Sequence, residues 1–302
     1  MIKTTKNNKS VFKFLKIILT LIVGILVYFK LKNIDYNQLK LPDYINYSSF
    51  FIALALLFPN YYFEYKKWDL TIKTIQLKTT FQLKIQSFFA GIITGMITPN
   101  MQGNFIGRIY YFQRRERINI VLLTLISNLG QFCTTISLGL IGFWFANEQH
   151  QSVSIIPFII LIFGLLFYFY FDHFSFVNKH FKWLLNIKSL LKKHNYYRLK
   201  ILFYSVIRTL IFSFQFLFIF HAFGVEFQTK IFWLILELYL FTTLAPSLFL
   251  GKLFVRETIA LYVFSTVLIA DEIIILTSLT IWIINLLIPT LLGLLICKRN
   301  NI

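Results

Sequence analysis

The chain has 302 residues, of which 57% are hydrophobic and only 14% are charged, and its mean hydropathy is +0.69. These values argue against a soluble protein, and several apolar runs close to 20 residues long indicate a membrane protein with many spans. No polar stretch reaches the size of a soluble domain, so we predict a single polytopic membrane domain over residues 1–302.

The formal net charge of +18 has two candidate sources. One is a functional basic surface. The other is the cytosolic excess of Lys and Arg in membrane proteins, together with a composition rich in Lys, Asn, Ile and Phe. We favour the second source for most of these charges and expect no nucleic-acid partner. The two cysteines, Cys133 and Cys297, lie in apolar runs and indicate no disulfide framework.

The first two apolar runs predict two transmembrane helices. Five lysines precede or enter the first run, at residues 11–29, and no small-residue cleavage site follows it. We therefore predict a retained helix with a cytosolic N-terminus rather than a signal peptide. The second run, at residues 48–63, is followed by Lys66, Lys67 and Trp68, which we interpret as an interfacial belt on the cytosolic side.

Residues 81–112 are apolar but do not predict one continuous span. Lysines precede this stretch and arginines follow it, so both of its ends should be cytosolic. Its middle contains Pro99 and Gly103. An unbroken helix is disfavoured there because proline removes a backbone donor and clashes with the preceding turn. We therefore predict a re-entrant helical hairpin that enters from the cytosol.

The rest of the chain predicts a second hairpin and further spans. This hairpin covers residues 231–264 and enters from outside. Residues 172–200 are cytosolic, basic and amphipathic, and fit either an interfacial helix on an anionic leaflet or a solvated loop. The fold class is all-α integral membrane, with about six full transmembrane helices and two re-entrant hairpins. The last four spans cover residues 120–146, 155–171, 201–220 and 273–297.

The distribution of positive charge supports this topology. Most of the 30 lysines and arginines fall on segments assigned to the cytosol, as the positive-inside bias requires. Both termini are then cytoplasmic, and we predict a multi-pass protein of the cell (inner) membrane. Three cations fall within the membrane, namely Arg208, Lys252 and Arg256.

The two hairpins carry similar motifs that enter the membrane from opposite sides. This opposite orientation predicts an inverted repeat, with halves at about residues 48–146 and 201–297 and with broken helices that meet near the midplane. Each motif has a proline, then a glycine, then an arginine: Pro99, Gly103 and Arg108 in the first hairpin, and Pro246, Gly251 and Arg256 in the second.

The broken helices predict a binding site for an anionic headgroup. A helix that restarts after a break presents free backbone N–H groups and a partial positive charge. That end lies near Asn104 in the first hairpin and near Lys252 in the second, where Arg256 shares the same helical face. Two carboxylates, Glu237 and Glu257, can pair with these cations. The candidate substrate-binding residues are Pro99, Gly103, Asn104, Arg108, Glu237, Pro246, Gly251, Lys252, Arg256 and Glu257.

The charged candidates also have structural explanations. Arg108 can be an interfacial anchor. Arg208, about 10 Å into its helix, can extend to the cytosolic face and be structural. Lys252, Arg256 and Glu257 can form ion pairs with one another that only stabilise the second hairpin. Glu237 can make a structural hydrogen bond.

At the two hairpin motifs the chain resembles the lysylphosphatidylglycerol synthase transmembrane region, a flippase-like family, over about residues 54–295. The family pattern has Pro, Gly-Glu and Arg in its first half and Pro, Gly and Arg-Glu in its second. Here Pro99, Gly103 and Arg108 match the first half, and Arg256 is followed by a glutamate as in the second. Asn104 stands where the family usually has Glu, so no carboxylate or proton-coupled role is expected at this position.

The resemblance implies an inner-membrane protein. Some relatives move aminoacylated phosphatidylglycerol between leaflets, and archaeal relatives are linked to lipid-bound sugar transfer, so the family does not fix one activity. In some relatives a soluble synthase domain follows the membrane part, and we expect none here.

The sequence contains no pattern typical of catalysis. It has no HExxH, GxSxG or P-loop motif and no paired His/Cys spacing. We therefore assign no catalytic or metal-binding residue, expect no cofactor, and leave open whether the protein is an enzyme.

The favoured function is a lipid flippase-like transporter of an anionic or aminoacylated phospholipid or a lipid-linked precursor. The alternative is a membrane-embedded lipid-linked glycosyl or aminoacyl transferase, for which Glu257 and Glu237 are the available carboxylates. A third interpretation, a scaffold for a separately encoded synthase, leaves the buried charges unexplained. The expected partners are the bilayer and a phospholipid or lipid-linked substrate, with a separate synthase or a second copy of the chain as further candidates.

Overall fold

The structure is a computed structural model that describes residues 45–98, 103–146, 156–170, 196–245 and 252–297. Within these ranges all regular structure is helical. The helices are α1 (Tyr47–Ala55), α2 (Leu57–Ile75), α3 (Phe81–Ile97), α4 (Asn104–Ile109), α5 (Arg114–Ala146), α6 (Ile156–Tyr170), α7 (Tyr196–Ala222), α8 (Thr229–Leu244), α9 (Lys252–Phe264), α10 (Asp271–Trp282) and α11 (Ile288–Ile296), with a π-helical segment (Ile283–Leu287) joining the last two.

The described helices are those of a multi-pass membrane protein. Three are long and apolar enough to cross a membrane, namely α5, α7 and the continuous stretch Asp271–Ile296. Shorter apolar helices occur at Phe81–Ile97 and Leu161–Tyr170. Large apolar side chains on the helix surfaces remain exposed, as contact with lipid requires, among them Phe58 (76%), Phe163 (68%) and Leu295 (68%).

Several predicted segments lie outside the described residues. These are the first helix at residues 11–29, most of the amphipathic segment at residues 172–200, and the tips of both hairpins. The end of the amphipathic segment, from Tyr196 onward, is the first turn of α7. The count of six spans therefore stays a prediction.

The span predicted at residues 48–63 is divided into two helices. Asn46 caps α1 by accepting a hydrogen bond from the N–H of Ser49 (3.2 Å). The break comes at Leu56, where Pro59 follows in the first turn of α2 and has no N–H to donate to the carbonyl four residues earlier.

This second span also extends further than expected. α2 does not end near residue 63 but continues to Ile75. Lys67 and Trp68 therefore lie within the helix and face inward, with exposures of 3% and 0%. The interpretation of these two residues as an interfacial belt is wrong, because the helix buries them among its neighbours.

The α1–α2 pair lies antiparallel to α7. From one hydrogen bond to the next, the residue number rises along α1–α2 and falls along α7. The C-terminal ends of α2 and α7 therefore lie at opposite ends of the pair. The hydrogen bonds that join them along their length include Asn46 N to Ala222 O (2.9 Å), Gln215 Nε2 to Ala53 O (2.8 Å), Arg208 Nε to Asn60 Oδ1 (3.0 Å), and the Thr71 and Tyr197 hydroxyls (3.0 Å).

α3 and α4 form the predicted first hairpin as two antiparallel helices in close contact. A Cβ atom on Gly107 would lie 2.1 Å from the carbonyl oxygen of Ala90, and one on Gly91 would lie 2.9 Å from that of Asn104. Both distances are far below van der Waals contact, so glycine is required for the backbones to approach this closely.

α8 and α9 pack on each other as the second hairpin, and each hairpin also packs against a long helix from the other half of the chain. α8 lies along α5, where Gly142 would place a Cβ atom 2.6 Å from the carbonyl oxygen of Trp233. α3 lies along α11, where Gly293 contacts Ile93. The first leg of each hairpin therefore packs on the other half.

Candidate functional site

A cavity of about 200 Å³ lies where α2, the first hairpin, α5 and α7 meet. Thr243, near the end of α8, reaches the same cavity, so both hairpins contribute to its wall. The lining residues are Tyr61, Glu64 and Lys67 of α2; Gly91, Ile92, Asn104 and Arg108 of the first hairpin; Asn128, Gln131, Phe132 and Thr135 of α5; and Arg208 of α7, with Thr243.

Glu64 lies at the centre of a cluster of three cations. Its carboxylate oxygens are 2.8 Å from Nζ of Lys67, 3.3 Å from Nη2 of Arg108 and 3.5 Å from Nη1 of Arg208. The side chains of Lys67 and Arg108 are 3% exposed, and those of Glu64 and Arg208 are 14% and 17% exposed. Charges this deep in a membrane protein are tolerated when they pair with one another or line a polar cavity.

Gln131 connects this cluster to α5. Its Oε1 accepts hydrogen bonds from Nζ of Lys67 (2.9 Å) and Nη1 of Arg208 (3.3 Å). Its Nε2 donates to the hydroxyl of Thr209 (3.0 Å). The amide therefore fixes the two cations relative to each other without adding charge.

Arg108 is held between an aromatic ring and a glycine. Its guanidinium lies over the ring of Trp68, 4.9 Å from the centroid. A Cβ atom on Gly91 would come within 2.8 Å of the Arg108 side chain, so the glycine leaves the space that the arginine occupies. Nε of Arg108 has no hydrogen-bond partner among the described residues.

Asn104 also lines the cavity and is only 7% exposed. It forms two reciprocal hydrogen bonds with Asn128 of α5: Nδ2 of Asn104 donates at 3.1 Å and Nδ2 of Asn128 donates at 3.2 Å. This neutral amide pair joins the first hairpin to α5.

Two of the N–H groups at the start of α4 have hydroxyl partners within the hairpin. The N–H of Gly103 donates to the hydroxyl of Thr98 (2.8 Å), and the N–H of Gly107 donates to the hydroxyl of Thr94 (3.1 Å). α4 has only six residues, so its dipole is small. The full charge of the Arg108 side chain therefore contributes more positive character to this part of the cavity than the start of this short helix does.

Several candidates of the second hairpin are not placed at the cavity. Pro246 and Gly251, like Pro99 of the first hairpin, lie outside the described residues. Lys252 is the first residue of α9. Glu237 is buried in α8, and Glu257 is half-buried in α9. Among the described residues, Asn104 and Arg108 are the predicted candidates that the structure brings to the cavity wall.

The side chain of Arg256, a residue of α9, lies near two aromatic rings, one of which belongs to α7. Its guanidinium is 5.7 Å from the ring centroids of both Phe216 and Tyr239. Phe216 is eight residues beyond Arg208 on α7, which corresponds to about 12 Å along the helix axis. Arg208 and the site of Arg256 therefore lie at different positions along α7, and the two arginines do not form one cluster.

Four residues of the charged cluster were missed or interpreted differently from the sequence. Glu64 and Gln131 carried no predicted role, Lys67 was assigned to an interfacial belt, and Arg208 was interpreted as extending to the cytosolic face. The sequence does contain a pattern that indicates Glu64 and Lys67. Together with Asn60 they recur at helical spacing, which places all three on one face of α2. The structure turns Arg208 toward Glu64 instead.

A buried amide network extends from the cluster to the π-helical segment. Arg208 donates to Asn60, whose Nδ2 donates to Oδ1 of Asn285 (2.9 Å). Nδ2 of Asn285 donates to Oε1 of Gln215 (2.7 Å), and the Tyr61 hydroxyl donates to the backbone carbonyl of Asn285 (2.6 Å). π-helical turns leave backbone groups for such contacts and occur frequently at functional sites.

Comparison with known protein families gives a match over most of the chain. The family model described as the lysylphosphatidylglycerol synthase TM region matches residues 14–293, nearly the whole chain. No curated protein and no solved structure matches significantly. The matched range includes every residue that lines the cavity. The chain belongs to the lysylphosphatidylglycerol synthase TM region family.

Proposed function

We propose that the protein is a flippase-like transporter that moves an anionic or aminoacylated phospholipid, or a lipid-linked precursor, between the leaflets. The observation that carries this proposal is a cavity among apolar helices in which Lys67, Arg108 and Arg208 surround Glu64. Every such lipid carries a phosphate. Lysine and arginine bind phosphate through charge-assisted hydrogen bonds, which are strongest where water is scarce.

The arrangement of the hairpins supports a route across the bilayer. α3 follows the end of α2 and α8 follows the end of α7, so the hairpins begin at opposite ends of an antiparallel pair. The packing of α3 on α11 and of α8 on α5 agrees with an inverted repeat of residues 48–146 and 201–297. In transporters built this way, one repeat rocks against the other and exposes a central site to each side in turn.

The proposed topology has six full spans and two re-entrant hairpins in the cell (inner) membrane, with both termini cytoplasmic. In this proposal the cavity holds the headgroup while the acyl or prenyl chains stay in the bilayer. In this proposal Arg256, beside Phe216 and Tyr239, is a second contact for the phosphate. Lys252, Glu237 and Glu257 stay predicted substrate-binding residues. We expect Pro99 and Gly103, and likewise Pro246 and Gly251, to interrupt the hairpin helices.

Transport in proteoliposomes tests the proposal. A fluorescent phosphatidylglycerol is incorporated, and its movement between leaflets is followed by a membrane-impermeant quencher. We expect Arg208→Gln to slow the movement about tenfold or more, because a charged hydrogen bond to the phosphate is lost. The double variant Lys252→Ala/Arg256→Ala should slow it as well.

Arg115→Gln is the matched control, because it makes the same chemical change at an exposed position in the first turn of α5. The control should transport at the wild-type rate. Equal rates for the wild type, Arg208→Gln and the double variant would reject the transporter.

The alternative function, a lipid-linked glycosyl or aminoacyl transferase, gains one supporting observation. Glu64 places a carboxylate in the cavity, where a transferase would need one close to its lipid substrate. Lipid analysis of a deletion strain distinguishes the two functions. A missing lipid species favours the transferase, whereas a lipid confined to one leaflet favours the transporter.

A further inference from the structure

The described lining of the cavity carries more positive than negative charge. It contains three cations, Lys67, Arg108 and Arg208, and one carboxylate, Glu64, and its other residues are neutral. One carboxylate compensates one cation, even though it contacts all three. Within the described lining, two positive charges are therefore left without a counter-charge.

The other contacts of the cations do not remove this excess. Gln131 and Asn60 offer Arg208 only neutral oxygens, at 3.3 and 3.0 Å. Trp68 offers Arg108 a cation–π contact at 4.9 Å, which stabilises far less than the transfer of a charge out of water costs. The N–H group at Nε of Arg108 has no hydrogen-bond acceptor among the described residues. An anion supplied from outside the protein would satisfy both the charge and the donor.

The size of the cavity limits what this anion can be. Its volume of about 200 Å³ is below the roughly 300–1,000 Å³ of sites for drug-sized ligands. A phosphate or diphosphate group fits this space. A glycerol that carries an esterified amino acid needs more room and brings a positive charge toward three cations.

We infer that the cavity selects a lipid whose headgroup is a dianionic phosphate, either a phosphomonoester or a diphosphate, over a singly charged phosphodiester. It disfavours a headgroup that carries a cationic amino acid. This inference rests on the proposed function, because it specifies the substrate class of the same cavity. Two negative charges match the two uncompensated positive ones, whereas a phosphodiester leaves one of them unmatched.

Lipid binding to the purified full-length chain in detergent at pH 8 tests this selectivity. Phosphatidic acid represents the phosphomonoester, and farnesyl diphosphate, which carries at least two negative charges at this pH, represents the diphosphate. Phosphatidylglycerol represents the phosphodiester and lysylphosphatidylglycerol the cationic headgroup. Diacylglycerol and farnesol control for the apolar parts. A phosphomonoester, whose second pKa is about 6, is almost fully dianionic at this pH.

We expect at least one dianionic lipid to bind about tenfold more tightly than phosphatidylglycerol, and lysylphosphatidylglycerol to show no saturable binding. Tight binding of only one dianion would identify its class, phosphomonoester or diphosphate, as the substrate. Equal binding of the phosphodiester or of the cationic lipid would overturn the inference. The wild-type series alone decides this, whatever the stability of any variant.

Two substitutions change the charge of the cavity in opposite directions. Glu64→Gln raises the uncompensated charge, so the affinity for the dianion should rise. Arg208→Gln lowers it, so the preference for the dianion over phosphatidylglycerol should fall toward one. Arg115→Gln, at the exposed start of α5, should leave the ratio unchanged. A purely structural ion-pair cluster predicts no change in this ratio for any of the three variants.

The transport assay in proteoliposomes shows whether the inferred selectivity or the proposed transport function is wrong. Arg208-dependent movement of phosphatidylglycerol and phosphatidic acid at equal rates would keep the transporter and reject the selectivity. Selective binding of a dianion without any Arg208-dependent movement would keep the selectivity and reject the transporter.

Discussion

At the scale of single residues, the functional candidates that the sequence missed are polar side chains on one face of a helix. Glu64 and Lys67 follow Asn60 at helical spacing, and all three point inward. The prediction placed the helix end near residue 63, so Lys67 was assigned to a membrane interface. The buried contacts with Gln131 and Arg208 come from helices far apart in the chain, and no local pattern indicates them.

The central position of Glu64 predicts a large stability effect. Glu64→Gln leaves three buried or half-buried cations without their carboxylate, and breaking such an arrangement costs about 3–5 kcal/mol. We expect a clear decrease in the thermal midpoint of the purified protein in detergent, measured by intrinsic fluorescence. Adding a dianionic lipid should restore part of the loss, because a ligand that binds the folded state stabilises it.

Glu226→Gln is the control for this measurement, because Glu226 is exposed in the turn between α7 and α8. Its effect should stay within about 0.5 kcal/mol of zero. An unchanged midpoint for Glu64→Gln would show that the carboxylate does not hold the cations together.

At the scale of elements, the first hairpin was predictable and the extent of α2 was not. Proline and glycine interrupt helices by local chemistry, so Pro99 and Gly103 indicated the break between α3 and α4. The continuation of α2 to Ile75 depends on neighbours instead. Asp69 pairs with Lys84 of α3 at 2.6 Å, and such tertiary contacts override the local signal.

The contact between the legs of the first hairpin predicts a strong effect of a single methyl group. In Gly107→Ala the new Cβ would lie 2.1 Å from the backbone oxygen of Ala90, which cannot move without displacing α3. Overpacking of this kind costs about 1–3 kcal/mol or more. We expect a lower thermal midpoint and reduced lipid transport, since Arg108 on the same helix would shift.

Gly164→Ala serves as the matched control for the hairpin. A Cβ atom at Gly164 would meet no atom within 4 Å in the described structure, so the same change should leave both the thermal midpoint and transport near their wild-type values. Equal effects of the two substitutions would argue against tight packing of α4 on α3.

At the scale of the whole molecule, the sequence predicted the membrane class and the two hairpins but not the contents of the cavity. Composition and charge distribution are properties of the chain as a whole, so they can be read without a structure. The cavity is built from α2, α3, α4, α5, α7 and α8. The meeting of these helices depends on packing between parts of the chain that are distant in sequence.

The proposed opposite insertion of the two hairpins predicts a labelling pattern. Lys78, exposed before α3, and Glu226, exposed before α8, follow opposite ends of the antiparallel pair. In a background with Cys133 and Cys297 replaced by alanine, a membrane-impermeant maleimide applied to intact cells should label Glu226→Cys. It should label Lys78→Cys only after the membrane is opened. Labelling of both positions from the same side would contradict the inverted arrangement.

A cryo-electron microscopy map of the protein in nanodiscs that contain phosphatidic acid tests the central claim most directly. The structure predicts headgroup density inside the cavity, with phosphate oxygens within hydrogen-bond distance of Arg108 and Arg208 and with the acyl chains leading toward the bilayer. A well-ordered map in which Glu64 and its three cations fill the cavity, with lipid bound only on the outer surface, would contradict it.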